Sequence, residues 1–161
     1  MPIIERITDH RRIRHWYGEI PVEYLYTVGV AEERFFREIK ENARIMGAKC
    51  KHCDTVYVPP RMYCERCFEK LEEWVEASKR GKVHTYTLAY VDIDGSRLKE
   101  PIVWAMIKID NTEGGFVHRL GETDVKDVKI GMSVEAVFKR KEERLGSISD
   151  IGFFKPAREQ R

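Results

Sequence analysis

Residues 50–67 read CKHCDTVYVPPRMYCERC, and the chain's four cysteines, Cys50, Cys53, Cys64 and Cys67, all fall in this run as two C-x-x-C pairs. A C-x-x-C pair on a tight turn aims two thiolates at one point. Two such turns facing each other complete a tetrahedral four-sulfur site with no open position. The spacing therefore predicts a zinc ribbon whose metal is structural rather than catalytic. A thioredoxin-type redox pair would account for one C-x-x-C at a helix start and leave the second unexplained. A disulfide scaffold suits a short secreted chain, yet Met1 to Glu5 lead straight into the charged run RITDHRRIRHW, without a signal-peptide pattern. Four buried thiols are the plain alternative. His52 lies inside the first knuckle, but four thiolates already fill the sphere, so it reads as a bystander.

Working outward, 161 residues suffice for one ordinary domain or two small ones. A hydrophobic content of 42% with 35% charged residues fits a globular protein with a modest core. No apolar run is long enough to cross a membrane, and a cytoplasmic location is expected. Asn42, Asn111 and Gln160 are the only side-chain amides, a weak sign of a thermophilic source. Lys and Arg balance Asp and Glu to within one charge in each of residues 1–49, 50–80 and 81–161. Nucleic-acid binding draws on many Lys and Arg contacts to phosphate, so this balance argues against it.

Residues 1–46 are expected to form a helical arm. Its first part is rich in aromatics, Trp16, Tyr17, Tyr24 and Tyr26, around Gly18 and Pro21. From Ala31 to Met46, Phe35, Phe36, Ile39, Ala43 and Met46 recur at helical spacing. Glu32 and Glu33 open this helix, Lys40 and Arg44 close it, and Gly47 is placed to stop it. Such a helix either packs on its own protein or, behind an aromatic arm, docks on a partner. Residues 47–73 are the ribbon, with Pro59-Pro60 stiffening the loop between knuckles, and a short strand is expected near Trp74.

Residues 74–161 change character. KVHTYTLAYV, PIVWAMIKI, GGFVHRLG, SVEAVFKRK and ISDIGFF are five short stretches of strand composition separated by turn residues. Five strands in so short a span predict a small barrel of the OB-fold kind, with a loose tail after Ala157. The fold class is thus mainly β with N-terminal helices: helical arm, rubredoxin-like ribbon, five-stranded OB barrel.

This order resembles the zinc-ribbon plus OB-fold family catalogued as domain of unknown function number thirty-five. The matching stretches are GAKCKHCDTVYVPPRMYCERC, WVEASKRGKVHTYTLAY, and IGMSVEAVF followed by ISDIGFFKP. VPPR between the knuckles combined with GKV opening the barrel is the specific part. The resemblance implies an accessory role in acyl-CoA metabolism: a non-catalytic scaffold partnering a thiolase-type enzyme, as in the small third component that joins archaeal acetoacetyl-CoA thiolase to hydroxymethylglutaryl-CoA synthase.

The residues bear on that role. Thiolase chemistry requires a nucleophilic cysteine with a histidine base, and here every thiol is assigned to metal. G-x-S-x-G, G-x-x-x-x-G-K and G-x-G-x-x-G patterns are absent. His84 reads as a packed or surface residue, and His118, beside Gly114-Gly115, has better access but no visible partner. An acyl-CoA ligand needs cations for its phosphates and an apolar slot for its pantetheine arm. Arg61, Arg97, Lys99 and Arg119 are the candidate cations. Phe116, Phe153 and Phe154 are candidate slot residues, with barrel core as the competing assignment. Trp16, Tyr17, Tyr24 and Tyr26 are candidate anchors for the partner. The competing function is a nucleic-acid-binding module, since ribbons and OB barrels both recur there.

Overall fold

The computed structural model describes residues 27–157 together with Thr8, Asp9 and Arg11. The four aromatic anchor candidates Trp16, Tyr17, Tyr24 and Tyr26 lie outside the described residues. Helix α1 (Val30–Asn42) buries Ala31, Phe35 and Ile39, spaced by four, and carries Glu32 and Glu33 in its first turn and Lys40 in its last. It ends earlier than its apolar pattern suggests. Ala43 takes the left-handed conformation at φ 50°, and its N–H reaches the carbonyl of Ile39 at 3.2 Å while Arg44 N–H reaches that of Glu38 at 3.3 Å. These bonds close the helix without a glycine.

The expected helical stop, Gly47, is instead inside strand β1 (Met46–Lys49). A Cβ there would meet Val56 Cγ1 at 2.6 Å, so the glycine permits a close approach between strands. β1 pairs antiparallel with β2 (Val56–Val58) and with β3 (Glu73–Glu76), which contains the expected strand at Trp74. Arg34 stacks its guanidinium over the Trp74 ring at 4.5 Å, fixing α1 against this small sheet.

The second sheet comprises β4 (Arg80–Val91), β5 (Arg97–Ile109), β7 (Phe116–Arg119), β8 (Ser133–Phe138) and β9 (Ile151–Pro156), in the order β7-β5-β4-β8-β9. Each corresponds to one of the five stretches read as strands. The two edges curl toward one another: Leu120 and Phe154 form a single parallel bridge, and Gly121 N–H reaches the Phe154 carbonyl at 2.8 Å. Alternation along β5 and β7 directs Val103, Ala105, Ile107, Ile109, Phe116 and Leu120 into one core.

That core also takes in Phe35 and Ile39 from α1, Ile45, Val58 and Ala77. The apolar stripe of α1 is therefore spent inside the protein, which decides against the stripe as a docking face. Arg144 reinforces the contact from the loop between β8 and β9, donating to the carbonyl of Lys40 at 2.9 Å and that of Ile39 at 3.4 Å. A short strand β6 (Glu113–Gly114) joins the two sheets by pairing parallel with Tyr57 and Val58 of β2. Any Cβ on Gly114 would collide with the Val58 carbonyl, and one on Gly115 with that of Ile107. The glycine pair serves this crossing rather than opening access to His118.

Candidate metal centre

Both knuckles are built the same way. Cys50 N–H bonds the Thr55 carbonyl at 2.8 Å and Cys64 N–H bonds the Glu69 carbonyl at 2.9 Å. The residue four beyond each first cysteine, Asp54 and Phe68, is left-handed at φ 54° and 61°. These turns fold two loops over each other so that all four Sγ atoms lie within 4.8 Å of one another. Cys50 and Cys67 approach to 3.5 Å, and Cys53 and Cys64 to 3.9 Å. Cys50 and Cys64 are buried, while Cys53 and Cys67 are half-buried.

The donor set fits a tetrahedral divalent ion. Sulfur-only ligation, tight clustering and backbone N–H groups aimed at sulfur are what thiolate coordination needs. Cys53 N–H points at Cys50 Sγ and Arg66 N–H at Cys64 Sγ, both at 3.4 Å. His52 Nδ1 stands 3.8 Å from Cys53 Sγ, outside the four-sulfur set.

The electrostatics of the thiols are uneven. The Tyr57 hydroxyl, 3.3 Å from Cys64 Sγ, holds the Cys64 pKa down to about 6 against the opposing effect of burial. Sharing a hydrogen bond with Cys64 in turn pushes Tyr57 up to about 12. Cys53 is pushed up to about 12 by its contact with Cys67 and by burial. For Cys67 a backbone hydrogen bond from Glu69 lowers the pKa, but burial and the contacts with Cys50 and Cys64 outweigh it and the net shift is upward. Crowded thiols resist becoming several anions at once. A bound divalent cation reverses that preference, so metal uptake releases protons and weakens as pH falls.

The remaining sequence-selected residues are scattered. Arg61 pairs with Glu65 and covers the Tyr57 ring at 5.2 Å. Phe116 and Phe154 pack with their rings tilted at 57° and centroids 5.8 Å apart in the sheet's core, both buried, which places them away from any surface slot. Arg119 and Phe153 do meet, in a cleft of about 680 Å³ walled by residues 100–103 and 119–125. Arg119 is held there by its Nε, which donates to the Gly152 carbonyl at 2.6 Å. Arg97 and Lys99 open β5 immediately before that wall.

His118, expected to be accessible, is 6% exposed. Its ring lies edge-on to Phe154 with centroids 5.6 Å apart, and Nε2 lies 3.3 Å from the Ile148 carbonyl. Burial lowers its pKa, so it reads as a neutral core histidine. Tyr57 is the residue that sequence reasoning missed. Its signal was the VYV alternation between the knuckles, which turns the middle side chain toward the sulfurs.

Residues 37–72 match the family described as ChsH2, rubredoxin-like zinc ribbon domain, and residues 74–139 match ChsH2, C-terminal OB-fold domain. A DUF35 domain-containing scaffold protein of Methanocaldococcus jannaschii is 39% identical over 127 residues, 76% of this chain and 89% of that protein. The chain belongs to the DUF35 family. The four cysteines of this DUF35 chain are thus positioned to bind a metal ion within a rubredoxin-like zinc ribbon. A crystal structure of a DUF35-family protein of unknown function from Sulfolobus solfataricus is similar at 38% identity and TM-score 0.59, covering 68% of this chain and 77% of that one. The Ltp2-ChsH2(DUF35) aldolase shares the fold at 23% identity and TM-score 0.62, over 82% of this chain and 98% of that one. Among the described residues of this DUF35 chain, no helix is long and apolar enough to cross a membrane.

Proposed function

We propose that this DUF35 chain is a non-catalytic accessory subunit, a scaffold that carries or presents acyl-CoA for a thiolase-type enzyme, with hydroxymethylglutaryl-CoA synthase as a second partner. The observation that carries this reading is the relationship to a scaffold protein over 89% of that protein's length. The four-sulfur cluster supports it, because it uses every cysteine of the chain and leaves no thiol nucleophile for acyl transfer. Acyl-CoA would lie against the cleft where Arg119 meets Phe153, with Arg97 and Lys99 on its approach. The aromatic anchors Trp16, Tyr17, Tyr24 and Tyr26 would take the partner.

Affinity purification of the tagged full-length chain from its native cells tests the reading. A thiolase-type enzyme should co-purify. Salt-sensitive binding to single-stranded nucleic acid with no thiolase recovered would favour the nucleic-acid alternative instead. For the ligand, Arg119→Ala should weaken acyl-CoA about tenfold in calorimetry, the order of one charge-assisted phosphate contact. No heat from millimolar CoA, with the chain alone and with its partner, would remove ligand handling from the role.

A further inference from the structure

Tyr57 is fully buried, in the small cluster formed with Ala48, Cys50, Cys64 and Leu71. A phenylalanine would fill that volume without taking a hydroxyl out of water, a cost that only a good partner offsets. The partner is Cys64 Sγ at 3.3 Å. The same sulfur already receives the Arg66 N–H at 3.4 Å. A neutral thiol is a weak acceptor with little use for two donors, whereas a metal-bound thiolate carries the charge and lone pairs to satisfy both. Among the described residues, Cys64 is the one cysteine of the four whose sulfur faces a hydroxyl.

Arg61 adds to this arrangement from outside. Its guanidinium lies 5.2 Å from the centroid of the Tyr57 ring. That guanidinium, which also pairs with Glu65, lies over the ring face and helps hold the phenol in place.

We infer that Tyr57, backed by Arg61, is a positioning residue for the metal centre: its hydroxyl orients the Cys64 thiolate, takes up part of its charge, and slows its detachment from the ion. The four sulfurs are then inequivalent ligands, with Cys64 the least electron-rich. The inference rests on the zinc-ribbon assignment of the four cysteines.

Full-length wild type and Tyr57→Phe, each loaded with Co(II) and separately with zinc, provide the test. Removing the hydroxyl while keeping the ring should shift the sulfur-to-cobalt charge-transfer bands. It should also speed zinc transfer to a chromophoric chelator about tenfold, the lower end of what partners of metal ligands are worth. Arg61→Leu, which removes the guanidinium lying over the ring, should shift the bands in the same direction by less. Band positions and release rates equal to wild type in Tyr57→Phe overturn the inference and leave the metal assignment intact. If the phenylalanine variant does not load, unshifted bands in Arg61→Leu overturn it equally. Failure of the wild type to bind cobalt at all overturns the metal assignment itself.

Discussion

The ribbon of β1 to β3 buries a cluster of Ala48, Cys50, Tyr57, Cys64 and Leu71, two of whose five members are ligand cysteines, with Cys53 and Cys67 packed on it. The five-stranded sheet instead shares a continuous apolar core that runs from Phe35 through Ile107 and Val134 to Phe154. A cluster as small as the ribbon's removes too little apolar surface from water to offset the ordering of its loops. The sheet has enough. The ribbon is therefore expected to depend on metal coordination by its four cysteines and the sheet on burial, and the two should fail under different treatments.

The largest effect expected is from Cys64→Ser. Zinc content should fall from about one per chain toward none, since structural sites of this kind depend on all four ligands. Elemental analysis of protein purified without added metal is the check. Far-UV circular dichroism should retain the signal of the five-stranded sheet. Loss of the whole spectrum would erase the contrast between the two halves.

Phe154→Ala addresses the other half. Phe154 is fully buried, packs against the tilted ring of Phe116 and bridges toward Leu120, so truncation should cost about 3–5 kcal/mol. Denaturant melts would show this while zinc stoichiometry stays at the wild-type value. A simultaneous loss of metal would show that the ribbon leans on the sheet's core more than the contrast allows.

A smaller effect sharpens the boundary between the halves. Asp150 is fully buried and accepts the backbone N–H groups of Leu145 at 2.9 Å, Gly146 at 2.6 Å and Ser147 at 3.3 Å. Burial alone would raise its pKa, but these donors outweigh burial and hold it below the ordinary 3.8. Because the folded value is depressed, its contribution is fully present above the ordinary carboxylate range and is lost as pH falls through the folded value. Asp150→Ala should cost about 1–3 kcal/mol near neutral pH and flatten the acid limb of the stability curve. Urea midpoints measured across the acid range test this, and parallel acid limbs for the two proteins would contradict it. The loop that Asp150 ties carries Arg144 onto the end of α1, so the same variant should loosen the helix.

Local signals made much of this legible. The paired C-x-x-C turns are set by neighbours in sequence, and β-branched and aromatic residues mark β4, β5 and β8 directly. What misled was a feature decided by distant contacts. Gly47 has the look of a helix stop, yet the chain needs it where β1 passes Val56, and Ala43 terminates α1 unaided. Likewise the glycine pair Gly114-Gly115 suggests access to His118, while Gly114 is used in a parallel pairing with Val58, more than fifty positions away. His118 looked accessible because nothing local reveals that Phe154 and Ile148 close over it. The metal ligands needed no such information, whereas Tyr57 required knowledge of which face of β2 meets the sulfurs.

Backbone amide exchange followed residue by residue, before and after zinc is stripped by a chelator, tests the division most directly. The amides of Cys50, Cys64 and Leu71, bonded to Thr55, Glu69 and Met62 within the ribbon, should lose their protection on metal removal. Those of the β4–β5 ladder around Ile107 should keep theirs. Equal loss across both regions, or no loss in the ribbon, would contradict the account.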